Sequence, residues 1–103
     1  MSNIIQCTTP IIKYTFNVTD VADISVAYLT IEQQRETILE KTLADATVDT
    51  ENNLIYWRLT QEETLQFSNS IYIMLNWKTA GGIRGASKKE VVFISDNLKD
   101  EVI

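Results

Sequence analysis

The chain has 103 residues, of which 45% are hydrophobic and 22% are charged, and its 14 acidic against nine basic side chains give a formal net charge of −5. This length and composition are typical of one folded domain and exclude a disordered chain. The negative charge argues against nucleic acid as a partner, because phosphate groups would be repelled. No apolar run approaches the ~20 residues that cross a bilayer, so we expect no membrane span.

The first residues are expected to contribute little to the fold. Polar residues dominate before Pro10, so we predict a flexible N-terminal tail over 1–9 and a single domain over 10–103. The start of the chain lacks the basic residues and apolar stretch of a secretory signal, which predicts synthesis in the cytoplasm. Cys7 is the only cysteine, so it cannot form an internal disulfide, and in a tail it is expected to be a free thiol.

Apolar and polar residues alternate with a period of two along most of the chain, which is the pattern of half-buried strands. Clear strands are predicted over 12–18, 26–32, 55–59 and 70–78. The predicted core faces, in chain order, are Ile12, Tyr14, Phe16 and Val18; Ala27, Leu29 and Ile31; Ile55, Trp57 and Leu59; and Ile71, Ile73, Leu75 and Trp77.

The segments between these strands contain signals for turns and short helices. Residues 35–42 are predicted to form a hairpin with 26–32, and residues 45–53 are rich in turn formers. Thr60 and Glu63 have the spacing of a capping box, which predicts a helical turn over 61–66.

Two further turns are predicted nearer the C-terminus. The Gly81-Gly82 pair is suited to a tight turn that returns residues 83–94 alongside 70–78. Asp96 is a candidate N-cap for a second short helical turn over 96–101. About seven short strands without alternating helices predict an all-β, immunoglobulin-like antiparallel β-sandwich with one short helical turn, and a barrel is the alternative.

The residue types needed for catalysis and metal binding are scarce. Histidine is absent, which removes the usual general base and the commonest transition-metal ligand. Glu62 and Glu63 are neighbours in sequence and do not resemble two carboxylates facing each other across a cleft. We therefore predict no enzyme, no catalytic residue and no cofactor. Loop carboxylates leave calcium as a minor alternative, at Asp20 and Asp23 or at Asp45, Asp49 and Glu51.

Two sets of outward-facing side chains are candidates for binding. Tyrosine and methionine are enriched at protein interfaces, and a candidate interface consists of Tyr28, Tyr56, Tyr72 and Met74 if their strands are neighbours. A basic group near the glycine turn is formed by Lys78, Arg84, Lys88 and Lys89, for which a solvated, charge-protected edge is the favoured interpretation.

Several segments together resemble a family of phage proteins. They are residues 28–33, 59–67, 73–77, 81–87 and 101–103, in which Met74 replaces a common glutamine. In these segments the chain resembles small proteins encoded among the structural genes of phages and prophages of Gram-positive bacteria, which are similar to the immunoglobulin-like N-terminal domain of baseplate upper proteins.

The resemblance implies a virion-associated structural or adaptor protein of tail or baseplate, made in the host cytoplasm. Its partners would be other virion structural proteins or further copies of itself in a homo-oligomer. The alternative hypothesis is a domain that recognises carbohydrate through exposed aromatic side chains.

Overall fold

The computed structural model describes residues 3–103, which form nine strands and one short α-helix. The strands are β1 (Asn3–Ile5), β2 (Ile11–Thr15), β3 (Ile24–Gln33), β4 (Glu36–Thr42), β5 (Thr47–Asp49), β6 (Leu54–Arg58), β7 (Ser70–Thr79), β8 (Arg84–Ala86) and β9 (Glu90–Ser95). The helix α1 (Gln61–Leu65) follows β6, and two short 3₁₀ turns span Val21–Asp23 and Leu43–Asp45.

The strands form two sheets that enclose one hydrophobic core. Sheet A has the order β1-β9-β7-β3-β4, with β8 also paired to β7, and sheet B has the order β2-β6-β5. All pairs are antiparallel except β1 with β9, which is parallel. Two facing sheets with strands that cross between them are the arrangement of an immunoglobulin-like β-sandwich, so the predicted fold class is confirmed.

The predicted core faces are confirmed for most positions. Ala27, Leu29, Ile31, Ile55, Trp57, Leu59, Ile71, Ile73 and Leu75 are all buried and belong to the same cluster. Four positions differ from the prediction, because Tyr14 and Phe16 are only partly buried and Val18 and Trp77 also depart from it. Val18 is 98% exposed, because β2 ends at Thr15 and the chain then turns away from the sheet. Trp77 is only partly buried, at the margin of the core.

The prediction of a flexible tail over 1–9 is wrong for residues 3–9, while residues 1–2 lie outside the described residues. β1 pairs with β9 and buries Ile4, and the Gln6 amide donates to the Ser95 carbonyl at 2.9 Å. The buried Thr64 hydroxyl accepts from the Thr8 amide at 3.0 Å and donates to the Thr8 carbonyl at 2.8 Å. These bonds order the segment, so Cys7 is a buried free thiol.

Two local structures predicted from the sequence, a helix cap and a hairpin, are present in the structure. The capping box is confirmed, since the Thr60 hydroxyl accepts from the Glu63 amide and the Glu63 carboxylate accepts from the Thr60 amide. The β3–β4 hairpin is also confirmed, and its two-residue turn places Gln34 and Arg35 at φ 52° and 67°. Two consecutive positive φ values are typical of a type I′ turn, here built without the usual asparagine or glycine.

Three other segments refine or correct the predictions. The return after Gly81-Gly82 is confirmed, but it consists of two strands, β8 and β9, that pair with opposite halves of β7. The polar region 45–53 contains the short strand β5. The predicted helical turn over 96–101 is wrong, because the Asn97 side chain accepts from the Lys99 amide in a local turn and no helix follows.

Asn53 connects the loop after β2 to the start of β6. Its side-chain amide donates to the Phe16 and Thr19 carbonyls at 2.8 and 3.0 Å, and its Oδ1 accepts from the Val21 amide at 2.7 Å. Its φ of 54° lies in the left-handed region, which asparagine adopts more readily than most residues. One side chain therefore satisfies three backbone groups of a loop that has no strand partner of its own.

Candidate functional site

The outer face of sheet A brings together side chains from three neighbouring strands. In the β3–β7 ladder, Thr30 lies opposite Met74 and Glu32 lies opposite Tyr72. In the β7–β9 ladder, Tyr72 lies opposite Val91. Side chains on the same face of adjacent strands are close enough to form a continuous surface. We call this surface the sheet A patch and define it as Val26, Tyr28, Tyr72, Met74, Val91 and Phe93.

The sheet A patch is apolar and accessible to a partner. The exposed fractions of its exposed side chains range from 37% for Val26 to 56% for Phe93. Met74 is partly buried between them. The alternate positions of the same strands, such as Leu29, Ile73 and Val92, are buried in the core. The outer face of these three strands therefore carries an apolar stripe beside polar residues such as Thr30 and Asn76, and the inner face is uniformly apolar.

Polar and charged side chains surround the sheet A patch. Lys89 Nζ lies 4.4 Å from the ring centroid of Tyr72 and 3.7 Å from Glu32 Oε1, so it combines a cation–π contact with an ion pair. At the other end of β7, Arg84 donates to Asn76 Oδ1 at 3.3 Å. An apolar centre with a polar rim is the usual anatomy of a protein interface.

Two shallow depressions divide this face. One, of ≈ 210 Å³, is lined by Val26, Tyr28, Asn76, Trp77, Lys78 and Arg84. The other, of ≈ 230 Å³, is lined by Thr30, Glu32, Tyr72, Met74, Asn76 and Lys89. Both are open to solvent and small for an enclosed ligand site, so the face is better suited to a broad contact than to a deeply held small molecule.

The sequence-predicted interface is only partly assembled. The structure brings Tyr28, Tyr72 and Met74 together in sheet A, but it places Tyr56 on β6 in sheet B, opposite Lys13 of β2. The expectation that all four side chains share one surface is therefore wrong for Tyr56. Alternation assigns Tyr56 correctly to an outward face, but it does not tell to which sheet a strand belongs.

Val91 and Phe93 were not among the sequence-predicted interface residues. The sequence predicts a single returning strand over 83–94 and does not separate its two faces. Val91 and Phe93 alternate with the core residues Val92 and Ile94, so the segment is apolar on both faces. That double-faced pattern is the signal that would have identified them.

The carboxylates considered for calcium have local structural roles. Asp20 accepts from the Ala22 amide at 3.0 Å, and Asp45 accepts from the Thr42 amide at 3.0 Å. The Thr42 backbone hydrogen bond lowers the pKa of Asp45, and the Asn52 side chain likewise lowers the pKa of Asp49. Among residues 3–103, no three His, Cys, Asp or Glu side chains converge on a point suited to a metal ion.

Glu63 joins the two sheets. Its carboxylate forms an ion pair with Lys41 of β4, while α1 itself directly follows β6 of sheet B. Partial burial alone would raise the pKa of Glu63, but the hydrogen bonds from Lys41 and from the Thr60 amide outweigh burial and hold the pKa below its usual value. The carboxylate thus both caps the helix and forms an ion pair.

The helical segments of the described range are too short to span a bilayer.

Comparisons with known proteins give structural matches but no family. No family model and no curated protein matches the chain. Among solved structures, extracellular domains 3–5 of Drosophila OTK are 8% identical, with 96% of this chain and 34% of that chain covered and a TM-score of 0.43. The V domain of amphioxus IgVJ-C2 is 9% identical, with 91% of this chain and 98% of that chain covered and a TM-score of 0.36. The chain thus spans about a third of the OTK structure, and its own strand order carries the fold assignment.

Proposed function

We propose that the domain is a non-enzymatic structural or adaptor protein of a phage or prophage particle, in the tail or baseplate, and that it docks onto another virion protein through the sheet A patch. The observation that carries the docking surface is the continuous outward set of six apolar side chains on β3, β7 and β9. Contiguous exposed apolar surface of this kind marks interaction sites in soluble proteins. The assignment to a virion is supported by the family resemblance of the sequence.

The charges around the patch favour an acidic partner surface at one end. Lys78 and Arg84 lie opposite each other in the β7–β8 ladder, next to the depression that contains Val26 and Tyr28. Basic groups concentrated at one end of an otherwise acidic chain attract a negative partner and orient it. Further copies of the chain remain the alternative partner, because Glu32 and Glu40 lie on the same face.

The test is incorporation into the particle whose genome encodes the chain. We expect mass spectrometry to detect the chain in purified particles, and we expect the double variant Tyr72→Ala/Phe93→Ala to be incorporated at least about tenfold less, because central aromatic side chains dominate interface energies. Tyr56→Ala is the matched control, since it removes an outward tyrosine from the opposite sheet.

Three outcomes distinguish the hypotheses. Absence of the wild-type chain from particles, or equal incorporation of the double variant, would contradict the proposal. Wild-type oligomers that light scattering shows to dissociate in the double variant would identify the partner as another copy. Unchanged urea unfolding midpoints of both variants would establish that any loss arises at the surface and not from the fold.

A carbohydrate-binding function is the second candidate, because two exposed tyrosines flank polar groups. Tyr28 lies directly opposite Asn76, and Tyr72 directly opposite Glu32. Aromatic rings beside amide and carboxylate groups match the chemistry of a sugar, which has apolar ring faces and hydroxyl groups. Binding on a glycan array that is lost in Tyr72→Ala but retained in Tyr56→Ala would favour this function, and no binding to any glycan would reject it.

A further inference from the structure

Strand β2 forms one edge of sheet B, and its outward backbone groups have no partner among residues 3–103. In the ladder with β6, the Phe16 amide donates to the Asn53 carbonyl at 3.0 Å and the Leu59 amide donates to the Pro10 carbonyl at 2.9 Å. Even-numbered positions of β2 therefore bond to β6, and the backbone groups of Ile11, Lys13 and Thr15 point away from it. No hydrogen bond from any residue in 3–103 reaches these outward groups.

The open edge lies where an immunoglobulin-like sandwich usually has another strand. In the constant-type arrangement, the sheet that contains the second strand has four members, and the first strand lies beside the second. Here the first strand, β1, pairs with β9 in sheet A, which leaves sheet B with three strands. Exposed edges of this kind are templates for strand addition.

A groove runs beside the open edge, between β2 and sheet A. It has a volume of ≈ 130 Å³ and is lined by Ile11, Ile12, Lys13, Tyr14, Ile73, Glu90 and Val92. Ile12, Ile73 and Val92 are core residues whose side chains reach the groove from both sheets. An added strand that alternates in the normal way would point every second side chain inward, so that one of its apolar side chains enters this groove.

We propose that the open edge of β2 binds an extended segment of another protein as a fourth strand of sheet B. The segment alternates apolar residues, which point inward and of which one enters the groove, with acidic residues, which lie beside Lys13 on the outer face. Lys13 is exposed and forms no ion pair with any residue in 3–103, and an opposite charge directly across a strand pair is stabilising. This site is separate from the sheet A patch, so each can fail without the other.

A second copy of the chain fits this edge less well. A symmetric β2–β2 pairing that uses Ile11, Lys13 and Thr15 of both copies brings the two Lys13 side chains directly opposite each other. Like charges across a strand pair are destabilising, and a lysine on an edge strand is a common device against self-pairing.

The experiment uses the full chain, labelled with ¹⁵N, and a capped seven-residue synthetic peptide of alternating valine and glutamate. Without the peptide, we expect the amides of Ile11, Lys13 and Thr15 to exchange rapidly with solvent and those of Ile12 and Tyr14 to be protected. With saturating peptide, we expect exchange at the three edge amides to slow by at least about tenfold, because each gains a strand partner. A peptide that is N-methylated at the positions facing β2 should produce no change.

Two variants at one position separate backbone pairing from charge. Lys13→Pro removes an edge amide that makes no bond to β6, and proline is tolerated on an edge strand at such positions, so this variant should fold and lose peptide binding. Lys13→Ala keeps the amide, so it should bind the peptide several-fold more weakly than wild type and not lose binding entirely. If Lys13→Pro fails to fold, the N-methylated peptide applies the same test to the wild-type chain.

The outcomes that overturn the proposal are specific. The proposal is rejected if the three edge amides still exchange rapidly at millimolar peptide, or if Lys13→Pro binds as tightly as wild type. Protection of the same amides that rises with the concentration of the chain alone would show self-pairing at β2, which also contradicts the proposed occupant.

Discussion

Sheets A and B share one core but differ in their outer surfaces. Sheet A has six strands and carries the apolar sheet A patch across three of them. Sheet B has three strands, and its outer face mixes Ile11, Leu54 and Tyr56 with Lys13 and Asp49. The inner faces follow the same period-two alternation in both sheets. Alternation therefore determines what is buried, whereas the neighbours of each strand determine which outward side chains can act together.

The two tryptophans show how differently the sheets use a large side chain. Trp57 of sheet B is 1% exposed, and its Nε1 donates to the Thr42 carbonyl at the end of β4 in sheet A at 2.9 Å. Trp77 of sheet A lies at the margin of the core, in edge-to-face contact with Phe16 at a centroid distance of 5.0 Å. Trp57 is thus a link between the sheets, and Trp77 closes one side of the sandwich.

The largest effect is expected from Trp57→Ala. Removing this buried ring should lower the free energy of unfolding by about 3–5 kcal/mol, a large share of the ~5–15 kcal/mol of a typical domain. Equilibrium urea unfolding followed by circular dichroism measures the change. Trp57→Phe is a graded control, because it keeps an aromatic ring and removes the hydrogen bond to Thr42. A loss below about 1 kcal/mol for Trp57→Ala would show that the sheets do not depend on this link.

A smaller effect is expected on the sheet A side, from Gly85→Ala in β8. A Cβ atom at Gly85 would lie 2.4 Å from Cζ2 of Trp77, so the ring or the strand must shift. We expect a loss of about 1–3 kcal/mol, typical of overpacking, together with a change in Trp77 fluorescence. Gly81→Ala is the matched control, since its nearest contact would be an ordinary 3.9 Å to Thr79 Oγ1. Equal stabilities of the two variants would contradict close packing of Trp77 on β8.

The core faces could be predicted from the sequence because long strands repeat their pattern several times. β3 and β7 each span ten residues, so their buried and exposed positions were unambiguous. β1 and β5 have three residues each, which is too few for alternation to be recognised. β1 is also held by hydrogen bonds that its local amino-acid sequence does not predict. Short strands therefore depend on tertiary contacts, which local sequence does not encode.

The candidate site could be predicted only in part for a related reason. Alternation identifies Tyr28 and Tyr72 as outward, but their proximity depends on the pairing of β3 with β7, which are separated in sequence by β4, β5 and β6. Because strand pairing is not visible in the sequence, the prediction wrongly groups Tyr56 of sheet B with these two residues. The open edge of β2 was likewise not visible, because it results from the pairing of β1 in the other sheet.

The smallest effect is expected from the ion pair between Lys41 of sheet A and Glu63 of α1. The helix α1 follows β6, which is a strand of sheet B. The folded-state pKa of Glu63 lies below its reference value of 4.5, so the pair contributes stability above that pH and loses it as the pH falls through the lower folded value. Glu63→Gln keeps the capping box, because glutamine also serves at this position, but removes the charge. We expect a loss of up to about 1 kcal/mol at pH 7 that diminishes as the pH falls through the lowered folded-state pKa of Glu63, so the unfolding free energy of the variant should fall less steeply with acid. Urea unfolding at several pH values measures both curves.

Glu62→Gln is the control, because Glu62 is exposed and its substitution should leave the wild-type slope nearly unchanged. Parallel curves for wild type and Glu63→Gln would mean that the ion pair does not couple the two sheets, and Trp57 would then be the principal side-chain link between them.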